Sequence, residues 1–404
     1  MKKYNFPFDS LDTPIVLIDM DNLEANIKEM SQLSSEVGVR LRPHTKAHEC
    51  PFIAKLQINA GACGIEVGTV DRAECMIDAG IDDILIAHPF YGKQKLGILK
   101  KYFKKPNLNL TLVVDMFEQA KFIDKFGQKI NKKIPVLLKI DLSSGDARFG
   151  VPFGAPALNL AKKITQQLSS IQLKGIYAHE SGVEPTKEGV NKAAFESASL
   201  MSEMAQLLKK GGINIEHVSV GASPTFRATC HYLKENKFPE ITEIHPGHCA
   251  IGDIWHTKNL GNKREACAAT VLATVISTSN LDYFVIDAGY KTFGKDSLIA
   301  YKEEPGFYWR GKPSFGSIQG RTDLWLGSLS AETACIYYTD SNINSEKRLK
   351  LGERLEIVPN NSTLTINLQT QLYGVRNGIL EKIISVKGRT TNSFRYKFIG
   401  LKSN

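Results

Sequence analysis

The sequence has no apolar run approaching the length of a membrane span, and Met1 to Phe8, despite two lysines, leads into no apolar export segment. Cysteine is scarce: seven in 404 residues, an odd number with no CxxC pair. That excludes a disulfide framework and a structural zinc site, and it points to a reducing cytoplasm. Internal repeats and low-complexity tracts are absent. The excess of base over acid is modest, 51 Lys and Arg against 42 Asp and Glu, and the resulting +9 is spread along the chain with a denser patch from Lys387 to Lys402. No aromatic residues interleave with a basic stripe, so nothing argues for nucleic acid. A solvated surface that tolerates anionic ligands such as phosphate is the expectation. What remains, 42% hydrophobic and 23% charged, is an ordinary globular composition at a length that calls for two domains.

From residue 14 to about 250, short apolar runs alternate with amphipathic stretches. The strand-like runs are Pro14 to Asp19, Val39 to Arg42, Cys63 to Val67, Asp83 to Ala87, Leu108 to Val114, Ile134 to Ile140, Ile171 to Ala178, Ile215 to Val220 and Glu240 to His245. Helical patterns lie between them, among them Asn22 to Glu36, Ala47 to Ala60, Thr69 to Ala79, Met116 to Phe126, Ala155 to Gln167 and Lys187 to Lys210. This repetition is the pattern of a (β/α)8 barrel of the TIM type. The runs number one more than a barrel needs, so a barrel beginning at Val39 leaves Pro14 to Asp19 for another domain. Beyond His256 the chain turns to strand-like segments, Cys267 to Ser277, Tyr283 to Asp287, Asp323 to Tyr338, Arg354 to Val358, Thr363 to Asn367 and Leu380 to Val386, with little helix. The expected architecture is an α/β barrel over residues 21–255 and a mostly β domain of 1–20 plus 256–404, to which the N-terminal strand returns. Lys302 to Gly320, rich in Gly and Pro, is the loosest segment.

The stretch Arg40-Leu41-Arg42-Pro43-His44-Thr45-Lys46-Ala47-His48 sets a lysine between histidines, just past a strand that Pro43 ends. The C-terminal ends of barrel strands are where catalytic groups converge. Cationic neighbours, Arg42, His44 and His48, would lower the pKa of the Lys46 amine, as an imine-forming lysine requires. The alternative is a solvated loop lysine. Barrels commonly hold a phosphate with the loops after strands seven and eight. Here those loops read Val220-Gly221-Ala222-Ser223-Pro224-Thr225 and His245-Pro246-Gly247-His248, small residues able to offer backbone N–H groups to an anion. Each alone is an unremarkable turn; in these two positions they support one another.

The chain resembles the pyridoxal-phosphate enzymes with the alanine racemase type of fold, and among them the D-serine dehydratase and D-threonine aldolase group. The resemblance runs through Arg42 to Lys46, Gly61-Ala62-Cys63-Gly64 to Glu74, Arg148-Phe149-Gly150-Val151, Gly175-Ile176-Tyr177-Ala178-His179, Val220 to Thr225 and Glu243-Ile244-His245-Pro246-Gly247. It continues through Asp287-Ala288-Gly289, Leu329-Ser330-Ala331-Glu332, Val358-Pro359-Asn360 and Val375-Arg376-Asn377-Gly378, so it covers nearly the whole chain. It implies pyridoxal 5'-phosphate as cofactor, with Lys46 as the Schiff-base residue and later the acid or base at Cα. His179 would pack on the pyridine ring, although a core or rim histidine is its plain alternative. Arg148 would face the phenolic oxygen, a surface salt bridge being the alternative. Gly221, Ala222, Ser223, Thr225, Gly247 and His248 would hold the phosphate. His245 would approach the ring nitrogen, where alanine racemases carry an arginine; a histidine can be neutral or charged, so the electronic poise stays open. A homodimer acting on a small amino acid also follows from the resemblance; that no nucleic acid or membrane is a partner is the expectation from composition and hydropathy.

One stretch departs from the group, whose dehydratases and aldolases bind a divalent metal through a PNHxC or PNHxD segment. Here it reads Pro359-Asn360-Asn361-Ser362-Thr363, and the nearby SEEHG-like segment reads Ser330-Ala331-Glu332-Thr333-Ala334. Asn361 and Thr363 are poor ligands for a transition metal, so no metal is expected there. A cation near His248, Cys249 and Asp253 is the alternative. Without the metal, Asn361, Thr363, Glu332, Tyr290 or His248 would have to handle a substrate hydroxyl. Three readings follow: a metal-independent lyase on a D-amino acid, an amino acid racemase or epimerase, and a non-catalytic pyridoxal-phosphate binder, the last weakened by the retained second domain. The segments 302–320 and 361–365 would line the substrate pocket.

Overall fold

The computed structural model describes residues 7, 10–142, 148–260, 266–296, 307–340 and 347–389. Most of the basic patch from Lys387 to Lys402, and residues 302–306 of the loose segment, lie outside the described residues. The described chain divides into two compact units, one built on residues 29–46 and 53–247, the other on the segment up to 28, on 47–52 and on 248–387.

Strand β1 (Ile15–Asp19) belongs to the second unit. The first unit carries eight parallel strands that curl into a barrel-type sheet: β2 (Arg40–Leu41), β3 (Ile65–Val67), β4 (Asp83–Ile86), β5 (Asn109–Val114), β6 (Ile134–Asp141), then, past the short β7 (Val151–Pro152) that pairs with β6 alone, β8 (Ile171–Tyr177), β9 (His217–Val220) and β10 (Glu243–Ile244). The order is β2-β10-β9-β8-β6-β5-β4-β3. Its two ends meet through backbone bonds from Cys63 N to Leu41 O and from Glu66 N to Pro43 O, both 2.9 Å. These eight are the strand-like runs expected from Val39 onward.

Strands β4 to β6 are nearly continuous apolar runs, as buried parallel strands must be. Between strands the chain forms helices such as α1 (Met20–Glu36), α2 (Pro51–Asn59) and α3 (Val70–Asp78). Helix α3 buries Val70, Ala73, Met76 and Ile77, a single face at helical spacing. Helix α2 starts later than expected at residue 47 because Thr45–Ala47 form a 3-10 turn and Pro51 takes the first helical position, where its missing N–H costs nothing.

In the second unit β1 pairs antiparallel with β11 (Ala269–Ser277). The sheet continues through β12 (Tyr283–Ile286), the hairpin β13 (Tyr308–Trp309) and β14 (Lys312–Pro313) standing apart from it, then β15 (Gly316–Ile318), β16 (Leu324–Leu329), β17 (Ala334–Tyr338), β18 (Arg354–Pro359), β19 (Gln371–Arg376) and β20 (Ile379–Ser385). Strand β1 is also parallel to β19, so the N-terminal strand does return to the β domain. The segment Thr363 to Asn367, expected as a strand, is instead helical over Ser362–Asn367. Thr363 and Thr365 alternate with Leu364 and Ile366, a strand-like pattern. Asn361 overrides them: its side chain accepts the Leu364 N–H as an N-cap, and the buried residues become Ser362, Thr365 and Ile366.

Gly175 of β8 stands opposite His217 of β9, and any Cβ placed on it would collide with the His217 backbone carbonyl. Because the obstacle is backbone, a side-chain rotation cannot relieve it. Gly175→Ala is expected to destabilise the protein by about 1–3 kcal/mol, read as a lower urea midpoint at unchanged m-value; an unchanged midpoint would refute the close approach.

Candidate active site

The barrel interior packs Leu85, Ala87, Val113, Leu137 and Tyr177. Among these apolar side chains sit two charged ones that point inward by strand alternation, Glu66 of β3 and Lys139 of β6. At the C-terminal end of the strands His44, Lys46, His88, Lys139, Arg148, Phe149, Tyr177 and His179 line one cleft. Lys46, Arg148 and His179 are thus brought together as expected.

Local chemistry holds Lys46. Its backbone N–H donates to His44 Nδ1 at 3.1 Å, and the preceding Thr45 hydroxyl donates to the Glu66 carbonyl at 3.1 Å. Burial lowers the pKa of the amine, and Arg148 adds to this, while Glu66 opposes it. The expected agents, Arg42, His44 and His48, do not enter. Arg42 is committed to Glu243 (Nε to Oε2 3.1 Å) and Asp83, and His44 is itself held well below its ordinary value by burial.

Burial likewise pulls Lys139 down to about 8, with Arg148 and Lys46 contributing against Glu66 and Asp115. His88 falls to about 4 and His179 to about 3, in both cases through burial first and the two lysines next. The Glu66 carboxyl moves the other way, pushed up by burial. Its Oε1 accepts the Tyr177 hydroxyl at 2.9 Å and lies 3.4 Å from His44 Nε2. The cleft is therefore cationic, with neutral imidazoles, and suits an anionic ligand bearing a carbonyl.

The two glycine loops also meet. Gly247 N–H donates to Ser223 Oγ at 2.9 Å, Ala222 N–H donates to Thr225 Oγ1 at 3.1 Å, and a Cβ on Gly247 would come within 3.0 Å of the His44 carbonyl. Gly221 has a φ of 129°, a conformation open to glycine, and its carbonyl accepts a hydrogen bond from His179 Nδ1 at 2.9 Å. His245 is fully buried, stacked on Tyr177 at 4.4 Å between ring centroids, and 5.9 Å from His179. Its Nε2 has no hydrogen-bond partner.

His248 falls in the other unit. There its Nε2 pairs with the Thr363 hydroxyl, and its ring stacks on His256 at 3.8 Å. His248, Asp253 and His256, not Cys249, form a group with ligand atoms within 4.8 Å of one another. The Asp253 carboxylate already accepts from His256 N (2.9 Å) and Nδ1 (2.6 Å) and from Ser362 N (2.9 Å) and Oγ (3.2 Å). Burial would raise its pKa, but His256 and His248 hold it down at about 2. This is a saturated hydrogen-bonded knot more than a ligand set. Asn361 is occupied as well: Oδ1 caps the helix at Ser362–Asn367 and Nδ2 donates to Asp296 Oδ2 at 2.9 Å.

The alanine racemase N-terminal domain model matches residues 18–254, and the model for a serine dehydratase domain matches residues 268–375. The chain belongs to the alanine racemase N-terminal domain family. Its relatives include a D-threo-3-hydroxyaspartate dehydratase of Delftia sp. (strain HT23), 30% identical over 88% of this chain and 92% of that one, and a D-threonine aldolase of Arthrobacter sp., 28% identical over 95% and 94%. The solved structure of the D-threonine aldolase from Filomicrobium marinum superposes with a TM-score of 0.81 at 25% identity, covering 96% of this chain and 98% of that one. The family is one of pyridoxal-phosphate enzymes, and pyridoxal 5'-phosphate is the cofactor of this chain. The site fits it: an amine of lowered pKa, a cationic cleft, glycine-bearing loops and the orphaned Nε2 of His245 are the features such a group requires.

Glu66, Lys139, Tyr177 and His88 were not singled out from the sequence. A charged residue inside an apolar strand run, as in Ile65-Glu66-Val67 or Leu138-Lys139-Ile140, was the signal that could have found the first two.

Beside His179, the buried Glu180 carboxyl is pushed by burial from its ordinary 4.5 to about 7. Between these values the folded protein keeps a proton that the unfolded chain has lost, so stability falls as pH rises through that window. Glu180→Gln is expected to remove that part of the slope, on the order of a few kcal/mol, in urea midpoints compared at pH 5 and pH 7; an unaltered slope would count against the raised value.

Proposed function

We propose that this chain is a pyridoxal-phosphate-dependent lyase acting on a D-amino acid with a β-hydroxyl group, by a dehydratase or aldolase type of cleavage. The observation that carries it is Lys46, a buried amine biased toward its neutral form in a cationic cleft, within a family whose two-domain relatives here are dehydratases and aldolases. When bound, the cofactor supplies an electron sink conjugated to Cα. Lys46 Nζ would carry it and would hold or move the proton at Cα. Arg148 would serve its phenolic oxygen, His179 its ring and His245 its ring nitrogen. Gly221, Ala222, Ser223, Thr225 and Gly247 would hold its phosphate, while the ring of His248 is taken up by Thr363 in the other unit.

The same proposal includes the absence of the family's metal at Asn361 and Thr363. Neither is a transition-metal ligand of choice, and both polar side chains are already engaged, Asn361 by Leu364 and Asp296 and Thr363 by His248. It further includes domain boundaries at 20 and 255, a homodimer, and a cytoplasmic setting. The last is supported by the seven cysteines, none of which forms a disulfide. Among the described residues no helix is long and apolar enough to cross a membrane.

Purified protein should be yellow, and Lys46→Ala should lose both the colour and the cofactor reducible by borohydride, with turnover down by about 10²–10⁴-fold or more. On D-serine and D-threonine, release of a keto acid or an aldehyde is expected. Cα deuterium exchange without cleavage would replace this reading with a racemase, and a colourless protein would remove both. Turnover is expected to survive exhaustive EDTA treatment. Loss that zinc or manganese restores would place a working metal in the protein, the His248, Asp253 and His256 group included. Sedimentation at micromolar concentration should report twice the chain mass.

A further inference from the structure

His245 is held by a line of hydrogen bonds whose direction can be worked out from its far end. Glu243, 1% exposed, lies beside Arg42 (Nε to Oε2 3.1 Å) and Arg40 (Nη2 to Oε2 3.5 Å). A carboxylate paired with arginines only accepts. Its other oxygen, Oε1, is 3.2 Å from Ser219 Oγ, so the single hydroxyl proton of Ser219 points to Glu243. Ser219 Oγ is also 2.8 Å from His245 Nδ1. With its proton committed, the hydroxyl can only accept there, and Nδ1 must carry a hydrogen. Glu66 Oε2, 4.0 Å from the same nitrogen, is beyond hydrogen-bond distance and leaves Ser219 as the partner of Nδ1.

Strand register makes this line possible. Tyr177, Ser219, Glu243 and Arg40 are successive Cα partners across β8, β9, β10 and β2, and so form one row. Burial, with His179, Lys139 and Lys46 adding to it and the Ala178 backbone opposing, keeps the imidazole neutral by holding its pKa well below the ordinary value. A neutral imidazole with hydrogen on Nδ1 has a lone pair on Nε2. That Nε2 is the atom left without a partner. A buried acceptor is satisfied only by a donor, and a pyridine nitrogen donates only when protonated.

We propose that Ser219 and Glu243 are positioning residues that fix His245 as its Nδ1–H tautomer, so that its open Nε2 accepts a hydrogen bond from the cofactor's ring nitrogen and selects the pyridinium form. This rests on the placement of His245 at the ring nitrogen made above. A protonated ring is the stronger electron sink, suited to breaking a bond beyond Cα. The inference assigns Ser219 and Glu243 a part in the electronics of the site although neither lines the cleft.

The test is nitrogen NMR of protein labelled with 15N-histidine, with the His245 signals identified by their loss in His245→Gln. Cofactor-free protein and holoenzyme should both show a pyrrole-type Nδ1 and a pyridine-type Nε2. Ser219→Ala, a small change whose retained fold is read from the other histidine signals, should lose that preference and develop an Nε2–H signal. Holoenzyme loaded with ring-15N pyridoxal phosphate should give a pyridinium-type shift that moves toward the unprotonated value in Ser219→Ala. A hydrogen on Nε2 in the parent protein, or an unprotonated ring nitrogen, overturns the proposal. A ring signal indifferent to His245→Gln overturns the placement of His245. That failure is separate, because the tautomer is read from the protein's own resonances before any cofactor is added.

Discussion

Glu66 lies fully buried on β3, accepts the Tyr177 hydroxyl, faces His44 at 3.4 Å, and is the charge that opposes the depressed pKa of both Lys46 and Lys139. Two amines and the Arg148 guanidinium share a barrel mouth with few anions, and desolvating each costs on the order of several kcal/mol unless something compensates. One carboxyl cannot neutralise three cations. The remainder is met by lowering the amines' affinity for protons and by neutral imidazoles at His44, His88 and His179. A site left short of negative charge is one in which an anionic ligand completes the electrostatics, and a cofactor bearing a phosphate and a phenolic oxygen answers that need.

The histidines divide by the chemistry of their surroundings. Those at the barrel mouth, His44, His88, His179 and His245, are pressed toward neutrality by burial and by lysines. His248 and His256 sit against the Asp253 carboxylate and hold it at about 2. In the first setting an imidazole offers a lone pair or an N–H according to which neighbour takes its proton, and hydrogen-bond direction decides its role. In the second the carboxylate has four donors and little capacity left for a cation.

The exchange of ligand-type residues for Asn361 and Thr363 has a structural side as well as a chemical one. Asn361 begins a helix and Thr363 joins His248, so both side chains serve the packing of the second unit. The mistaken strand over 363–367 has the same origin. A period-two pattern of β-branched residues is a weak preference, and one cap hydrogen bond worth about 1 kcal/mol reverses it.

Much of the architecture was legible because hydrophobic periodicity is local: the eight barrel strands and the return of the N-terminal strand follow from runs and turns in the chain, while Arg148 and His179 were singled out by resemblance. Resemblance along the chain carried the cofactor. Other features could not be read there because they depend on neighbours distant in sequence. Burial, opposed by Glu66 and aided by Arg148, and not the adjacent histidines, sets the proton affinity of Lys46; Glu66 meets Tyr177 across 111 residues; Ser219 reaches both Glu243 and His245 only after β9 and β10 pair. The sequence by itself determined which groups the barrel mouth contains. Tertiary structure alone decided which of them are charged and which way their hydrogen bonds run, since both depend on desolvation and register, quantities that exist only once the chain has folded.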